Sequence, residues 1–542
     1  MEGGGPATRS QAAARPVTVN RMSDTPILSP RQAAAWDAQA EARGIALATL
    51  MESAGRSVAA VLGTHLGGRL GGGVVIAVGP GNNGGDGWVL ARALHRLEVP
   101  VWVAALPGKT SPLNRQMTDL ARAVGVRSVA VDGPWPAAAV AVDAVLGTGA
   151  RGAPRPPAQQ LLDRIHQLAI PLVAIDGPSG VDLETGAVHG QARADLSVTF
   201  GGLRRGHALA REQVGDVVVV DIGHLDPDPA WPAVMTDALA AAWLPAFTAR
   251  AHKGTRGRVV IVGGAPGMSG AVRLAGRAAF AAGAGLVHAV APQATIDALV
   301  QAEPDLQTLV HDFGAPAPTP APGGGLERLV DRADAVVVGP GLGRAAGRAE
   351  LVLWLMERAR ASVVDADALV ALVGRHDDIR RVSRGRRLIL TPHPGEFRTL
   401  FPEFAETMEL DPWLAAASAS QAVGAVVNLK GVPSVVATPD GAAYTIVTGN
   451  PGLATGGSGD VLSGLIAALV AQGLMPFPAT ALGAHALGRA ADLGARRRGG
   501  TRGLRPMDVI ASLPALWRSW GRRSRPAPAP PVVLELPRPQ LV

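Results

Sequence analysis

Apolar residues change their rhythm at Val74. Upstream, residues 31–65 place them at helical spacing with little proline, and include the segment Leu50-Met-Glu-Ser-Ala-Gly55. Downstream they come in short runs that stop at glycine loops: Val74–Val78, Val101–Ala105, Ala139–Val145, Leu172–Ile175 and Val217–Ile222. Such runs, alternating with helical segments, predict a parallel α/β sheet. Residues 226–250 are rich in Pro and Ala and carry two tryptophans, which reads as a linker with one helix. A second series follows: Val259–Val262, Leu286–Ala289, Ala335–Val338, Ala361–Val364, Arg387–Leu390 and Ala425–Leu429. The pattern therefore predicts two α/β domains, over 26–225 and 251–520. Residues 1–25 read as a disordered tail, and the Arg/Pro-rich residues 521–542 as a second tail poor in order.

Composition changes this picture little. At 542 residues the chain is too long for one core, which supports the partition in two. Cysteine is absent, which excludes disulfides and Cys-ligated zinc or iron–sulfur sites. The net charge of +7 raises the question of nucleic acid. Its arginines are scattered rather than interleaved with aromatics, so no nucleic-acid partner is expected, only a modest pull on polyanionic substrates. Lys109, Lys253 and Lys430 are the only lysines, so each invites a reason. Residues 1–20 lack the apolar core of a secretory signal, and Met22 is a candidate true start. The uncharged stretch Val461–Gly488 is broken by Gly, Gln472 and two prolines, and reads as a buried helix pair rather than a membrane span. A cytoplasmic protein with no membrane partner is expected.

The chemistry concentrates in glycine loops. Residues 450–460 read Asn-Pro-Gly-Leu-Ala-Thr-Gly-Gly-Ser-Gly-Asp and run into an apolar helix. Unpaired N–H groups and the helix dipole make that start a phosphate cradle. Asp460 would repel a phosphate, so it is better suited to take a proton from, or orient, a hydroxyl attacking it. Other strand ends of this half carry Gly263–Ala271, Gly339–Gly343, Asp365-Ala-Asp367, Thr391–Glu396 and Lys430-Gly431. Lys430 offers a point charge to nucleotide phosphates, and Asp365, Asp367 or Glu396 could hold Mg²⁺ through water. Between its prolines, His393 could contact the acceptor. The plainer alternatives are helix caps for the two aspartates and a first-turn acid for Glu396.

In the first half, Gly79-Pro-Gly-Asn-Asn-Gly-Gly-Asp-Gly87 follows a strand and opens a helix. It does not match GxxxxGK[ST], since it has no lysine. Asn83, Asp143 and Ser179 offer oxygens that suit a hard monovalent cation better than zinc, leaving Asp176 for acid–base work. Turn capping by the Asn and Asp residues is the alternative.

The second-half motifs, with His252-Lys-Gly254, Gly283-Ala-Gly-Leu286 and Asp365–Leu369, occur in an order that closely resembles the ADP/ATP-dependent NAD(P)H-hydrate dehydratases over residues 240–515. The resemblance implies a ribokinase-like α/β domain. It implies that the C6 hydroxyl of the S hydrate (NADHX or NADPHX) is phosphorylated from ADP with Mg²⁺, giving AMP, and that phosphate is then eliminated. By resemblance Asp460 acts on the hydroxyl. Lys430, Gly431, Val432, Pro433, Ser434 and Gly459 bind nucleotide. Ala271, Gly343, His393 and Asp460 contact the hydrate.

The first-half motifs, with Leu50–Gly55, Thr199-Phe-Gly201 and Asp221-Ile-Gly223, resemble the NAD(P)H-hydrate epimerases over residues 26–225. This implies a Rossmann-like parallel-sheet domain that interconverts R and S hydrates. By resemblance, Asn82, Asn83, Gly84, Gly85, Asp86, Gly147, Thr148, Gly149, Ala150, Arg151, Gly152, Ala153 and the catalytic Asp176 meet the hydrate, and Asn83, Asp143 and Ser179 bind K⁺. A homo-oligomer is also expected. Two departures stand out. Gly177 replaces the usual Ile or Val and is expected to loosen the Asp176 loop. Arg204 and Arg205 stand where the family has a lysine, and arginine cannot serve as a proton carrier. The rival readings are a small-alcohol or vitamin-precursor kinase with an accessory domain, and a first half that only binds or docks.

Overall fold

A computed structural model of the chain describes residues 24–313, 323–521 and 531–541. The first half is built on an eight-stranded sheet. Its order is Val532–Leu536, Asp216–Val220, Leu196–Phe200, Leu172–Ile175, Val140–Ala144, Val74–Val78, Val101–Ala105 and Arg127–Val129. All neighbours are parallel except Val532–Leu536, which lies antiparallel to Asp216–Val220. The inner strands are buried along their whole length, as unbroken apolar runs require. From Val74–Val78 the chain winds one way to Val101–Ala105, then returns past it to Val140–Ala144. The loops after Val78 and Ala144 therefore flank the switch point of the sheet, where such folds open a crevice.

The second half has a ten-stranded sheet, in the order Ala233–Val234, Ala443–Ile446, Ser434–Ala437, Val426–Leu429, Arg387–Leu390, Ala361–Val364, Ala335–Val338, Arg258–Val262, Leu286–Ala291 and Gln307–Val310. The run from Val426–Leu429 to Gln307–Val310 is parallel, and Val426–Ile446 adds an antiparallel meander. Its switch point lies between Arg258–Val262 and Ala335–Val338. The helices Ser269–Ala281 and Ser458–Ala471 start beside it and pack on each other. A Cβ placed on Gly464 would lie 2.1 Å from the Ala275 carbonyl oxygen, so the two backbones touch. Ser458–Ala471 is buried from Val461 to Val470 and packs on the mostly buried Pro476–Arg498, the pair expected of this stretch. Among the described residues no helix is long and apolar enough to cross a membrane.

Three domain expectations need correcting. Residues 226–250 are more than a linker: Ala233–Val234 pairs with the second sheet, and Asp237 on helix Asp237–Trp243 binds His485 and Arg489. The tail over 521–542 contains a strand, Val532–Leu536, whose paired backbone stabilises a segment that composition marks as poor in order. Of the tail over 1–25, Asp24 and Thr25 are buried, and the Tyr444 hydroxyl donates to Asp24 at 2.6 Å. Residues 1–23, with the candidate start at Met22, and 522–530 lie outside the described residues. The halves also share apolar packing: Ile27, Leu203, Val217 and Leu536 belong to one buried cluster with Val260, Val338 and Leu390.

Candidate active sites

In the second half, helix Ser458–Ala471 begins with Asp460 in its first turn, after Gly457 in a left-handed conformation. Lys430, at the end of Val426–Leu429, reaches Asp365 Oδ1 at 2.9 Å and Glu396 Oε2 at 3.6 Å. Asp365 Oδ2 and Lys430 Nζ lie 3.5 and 3.6 Å from where a Cβ on Gly459 would stand. The chain thus brings Asp460, Gly459, Lys430, Asp365 and Glu396 together from four separate segments. Asp367 accepts from the Gly343 N–H at 2.9 Å and pairs with Arg344. Ala271 sits where a Cβ on Gly341 would meet its own at 3.4 Å. Neither Asp365 nor Asp367 caps the helix Asp367–Ala371. His393 does act as a cap: its Nδ1 accepts from the Gly395 and Glu396 N–H groups, while its other face is open to solvent. The Gly431 N–H donates to Ser434 Oγ at 3.1 Å, closing a turn that leaves Val432 exposed and carries Pro433 between them.

In the first half, a cavity of about 760 Å³ opens at the switch point. Asn82, Asn83, Asp86, Gly147, Thr148, Gly149, Ala150 and Asp176 line it. Gly84 and Gly85 instead pack beneath, where a Cβ on Gly84 would lie 2.0 Å from the Gly79 carbonyl oxygen. Arg151, Gly152 and Ala153 are exposed and do not line the cavity, because the loop turns outward after Ala150. Asp143 lies under the floor. It accepts from Ser179 Oγ and N–H at 2.7 Å each, and Ser179 Oγ accepts from the Leu146 N–H. Asn83 donates to the Leu146 carbonyl at 3.0 Å.

Comparison with known proteins gives the family of the chain. A family model described as NAD(P)H-hydrate dehydratase matches residues 259–515, and one described as YjeF-related protein N-terminus matches residues 47–206. The bifunctional NAD(P)H-hydrate repair enzyme of Moorella thermoacetica is 36% identical over 87% of this chain and 92% of its own. That of Salinibacter ruber is 39% identical over 90% and 95%, and that of Escherichia coli 36% over 81% and 84%. The chain belongs to the bifunctional NAD(P)H-hydrate repair enzymes. A solved ADP/ATP-dependent NAD(P)H-hydrate dehydratase of Bacillus subtilis is 27% identical over 53% of this chain and 98% of its own, with a TM-score of 0.46.

The electrostatics of the dehydratase half centre on Asp460. Burial and the neighbouring Asp365 charge push its carboxyl up to about 7, against the pull of Lys430 and with a further push from Asp367. The Lys430 ammonium is held above its ordinary range: Asp365 and Glu396 outweigh the burial that would lower it.

In the epimerase half, Asp176 adopts a positive φ of 66°, which Asp tolerates better than most residues. Its Oδ2 accepts from the Thr148 N–H at 2.9 Å and its Oδ1 from the Thr199 hydroxyl at 3.0 Å. Arg204 lies 3.5 Å away and also donates to Thr148 Oγ1. Burial alone would raise this carboxyl; Arg204 and the hydrogen bonds hold it below the usual range. His207, driven down to about 4 by burial, is neutral at pH 7. Its Nδ1 accepts from the Arg204 N–H and its Nε2 lies 2.6 Å from the Asp176 carbonyl, to which it donates. The loop is therefore tied down, contrary to the expectation for Gly177. A Cβ at Gly177 would lie 2.8 Å from Leu183 Cδ2 and 3.3 Å from His207 Nε2, so the glycine makes room for the residue that anchors the loop. The two arginines part company: Arg204 faces the cavity, while Arg205 pairs with Glu184 and with Asp411 of the other half.

Among the cavity residues that sequence reasoning missed are Asp37 and His224, joined by a 2.7 Å contact. His224 stacks on Trp36 with ring centroids 4.3 Å apart. Its only signal was its place one residue past Asp221-Ile-Gly223.

Proposed function

We propose that the first half interconverts the R and S hydrates in the cavity around Asp176, and that the second half converts the S hydrate to NAD(P)H with ADP, through Asp460. The observation that carries the reading is the convergence of Asp460 with Lys430, Asp365 and Glu396 at the start of one helix. With its carboxyl near 7, Asp460 is a base poised at neutral pH, able to accept the C6 hydroxyl proton as the phosphoryl group transfers. Lys430, locked between two carboxylates, gives a fixed positive point for the nucleotide phosphates, and the helix N-terminus adds unpaired N–H groups. Gly431, Val432, Pro433, Ser434 and Gly459 would border the nucleotide, and Ala271, Gly343 and His393 the hydrate.

Two ions belong to the reading. Asn83, Asp143 and Ser179 fit K⁺: they bring oxygens and a single carboxylate to one buried spot, and burial raises the Asp143 carboxyl so that a cation would relieve it. When bound, K⁺ would supply positive charge beneath the Asn82–Asp86 turn. Asp365, Asp367 and Glu396 are already engaged by Lys430, Gly343 and His393, so they fit Mg²⁺ only through water. Mg²⁺ would neutralise charge on the nucleotide.

The test is recovery of dihydronicotinamide absorbance from mixed hydrate epimers with ADP or ATP, Mg²⁺ and K⁺. Both epimers should be consumed, and Asp460→Asn should slow recovery of both by about 10²–10⁴-fold. Consumption of the S form alone would leave the first half without epimerase activity. No consumption with either nucleotide would return the kinase reading.

A further inference from the structure

Inverting a carbinol carbon by losing water from one face and returning it to the other needs a group on each face, one to give a proton and one to take it. Arginine cannot do either at neutral pH, and Arg204 is the cation beside Asp176. His207 is turned away to backbone partners on both ring nitrogens. The second proton carrier must come from another cavity wall.

Asp86 supplies it. It projects from the first turns of helix Asn82–Arg96 into the same cavity as Asp176. Its carboxyl makes no ion pair or side-chain hydrogen bond among the described residues; the charges that act on it are Asp176 and Asp37. Asp176, by contrast, is fixed on both oxygens. We propose that Asp86 and Asp176 form an acid–base pair across the epimerase cavity, Asp86 giving a proton to the departing C6 oxygen and Asp176 taking one from incoming water. The inference rests on the epimerase reading of this half and assigns the proton traffic within it.

The electrostatics agree. Burial, Asp176 and Asp37 push the Asp86 carboxyl well above its ordinary value, toward the proton-bearing form, while Arg204 and its hydrogen bonds hold Asp176 below its own. Carboxyl pairs whose environments drive them apart mark acid and base. In the R-to-S direction the C6–O bond breaks with its electron pair on oxygen. That oxygen takes the Asp86 proton and leaves as water, and the N1 lone pair forms an N1=C6 double bond. Water adds to C6 from the opposite face, restoring the N1 lone pair and passing its proton to Asp176. The proton then returns to Asp86, and nothing is oxidised or reduced.

Charged groups stand on several elements around Asp86. Helix Pro30–Ala42 offers Asp37, paired with His224; Leu47–Leu70 offers Glu52, bound to Arg92; Pro112–Ala123 offers Arg122, which lies over Trp88. Strand Leu203–Arg204 brings Arg204, the cation of this cavity, which lies 3.5 Å from Asp176 and is not among the charges that act on Asp86; Glu41 on helix Pro30–Ala42 adds a further acid to the lining.

The experiment measures epimer exchange by the parent, Asp86→Asn and Asp86→Glu in the full chain, with dehydration of pure S hydrate as the check that each variant has folded. Asp86→Asn should lose about 10²–10⁴-fold in kcat with the hydrate KM little changed, and Asp86→Glu should restore part of it. Parent exchange should fall as pH rises through the Asp86 pKa, and ¹⁸O from labelled water should enter the hydrate in step with exchange. Asp86→Asn exchange within about threefold of the parent, or a raised KM at unchanged kcat, overturns the assignment and leaves Asp86 a binding residue. Exchange without ¹⁸O overturns the water-departure step. If the parent shows no exchange, the epimerase reading itself falls.

Discussion

Asp460 shows how a carboxylate is made into a base by its surroundings rather than its identity. Burial and Asp365 raise it, Lys430 lowers it, and the balance rests at about 7. The sign of the pH dependence follows. A base acts when ionised, so dehydration of the S hydrate should climb with pH up to about 7 and level off above. Lys430→Met removes the cation that favours ionisation, and this acid limb should then move to higher pH at saturating nucleotide. A limb that stays in place would mean that the limb reports some other group. The same residue-scale logic separates the two arginines of the first half. Arg204 holds Asp176 ionised, and Arg205 ties the halves through Asp411 while its guanidinium lies 5.2 Å from the Trp413 ring.

At the scale of elements, the dehydratase site depends on two helices meeting backbone to backbone. Gly464→Ala would put a methyl group 2.1 Å from the Ala275 carbonyl oxygen and force Ser458–Ala471 away from Ser269–Ala281. The cost should be about 1–3 kcal/mol, seen as a lower Tm for the second half, with Asp460 activity falling alongside. An unchanged Tm would show that the crossing has slack. Elements of this kind were legible in the sequence where the code is local. Buried parallel strands announce themselves as apolar runs, and their glycine loops mark the ends that carry chemistry. Leu196–Phe200 escaped because Ser197 and Thr199 break the run, although both are fully buried and hydrogen-bonded. Val532–Leu536 escaped because its partner lies far away in sequence and its flanks are Arg and Pro. Of the sites, glycine loops and acids were legible by motif. The Asp37–His224 contact and the Asp86–Asp176 opposition were not, since they exist only once distant segments share a cavity.

For the whole molecule, the boundary between halves is sewn from both directions. The backbones of Thr25 and Ile27 bond Val234 and Pro232, and Asp24 meets Tyr444. In return, Val532–Leu536 covers the edge of the first sheet, and the Arg538 N–H donates to Asp216 at 2.7 Å. Removing residues 531–542 should bare the Asp216–Val220 edge, lower the Tm of the first half, and promote association at that edge while S-hydrate dehydration persists. Equal melting of the truncated and full chains would make the strand ornamental. The placement has a further consequence, for the order of biosynthesis. Asp216 and Arg538 are 322 positions apart, so at ordinary elongation rates the ribosome needs on the order of tens of seconds after making one edge to deliver the strand that seals it. The epimerase sheet is thus begun first and finished last, and any chain released early carries an open edge that a chaperone can recognise.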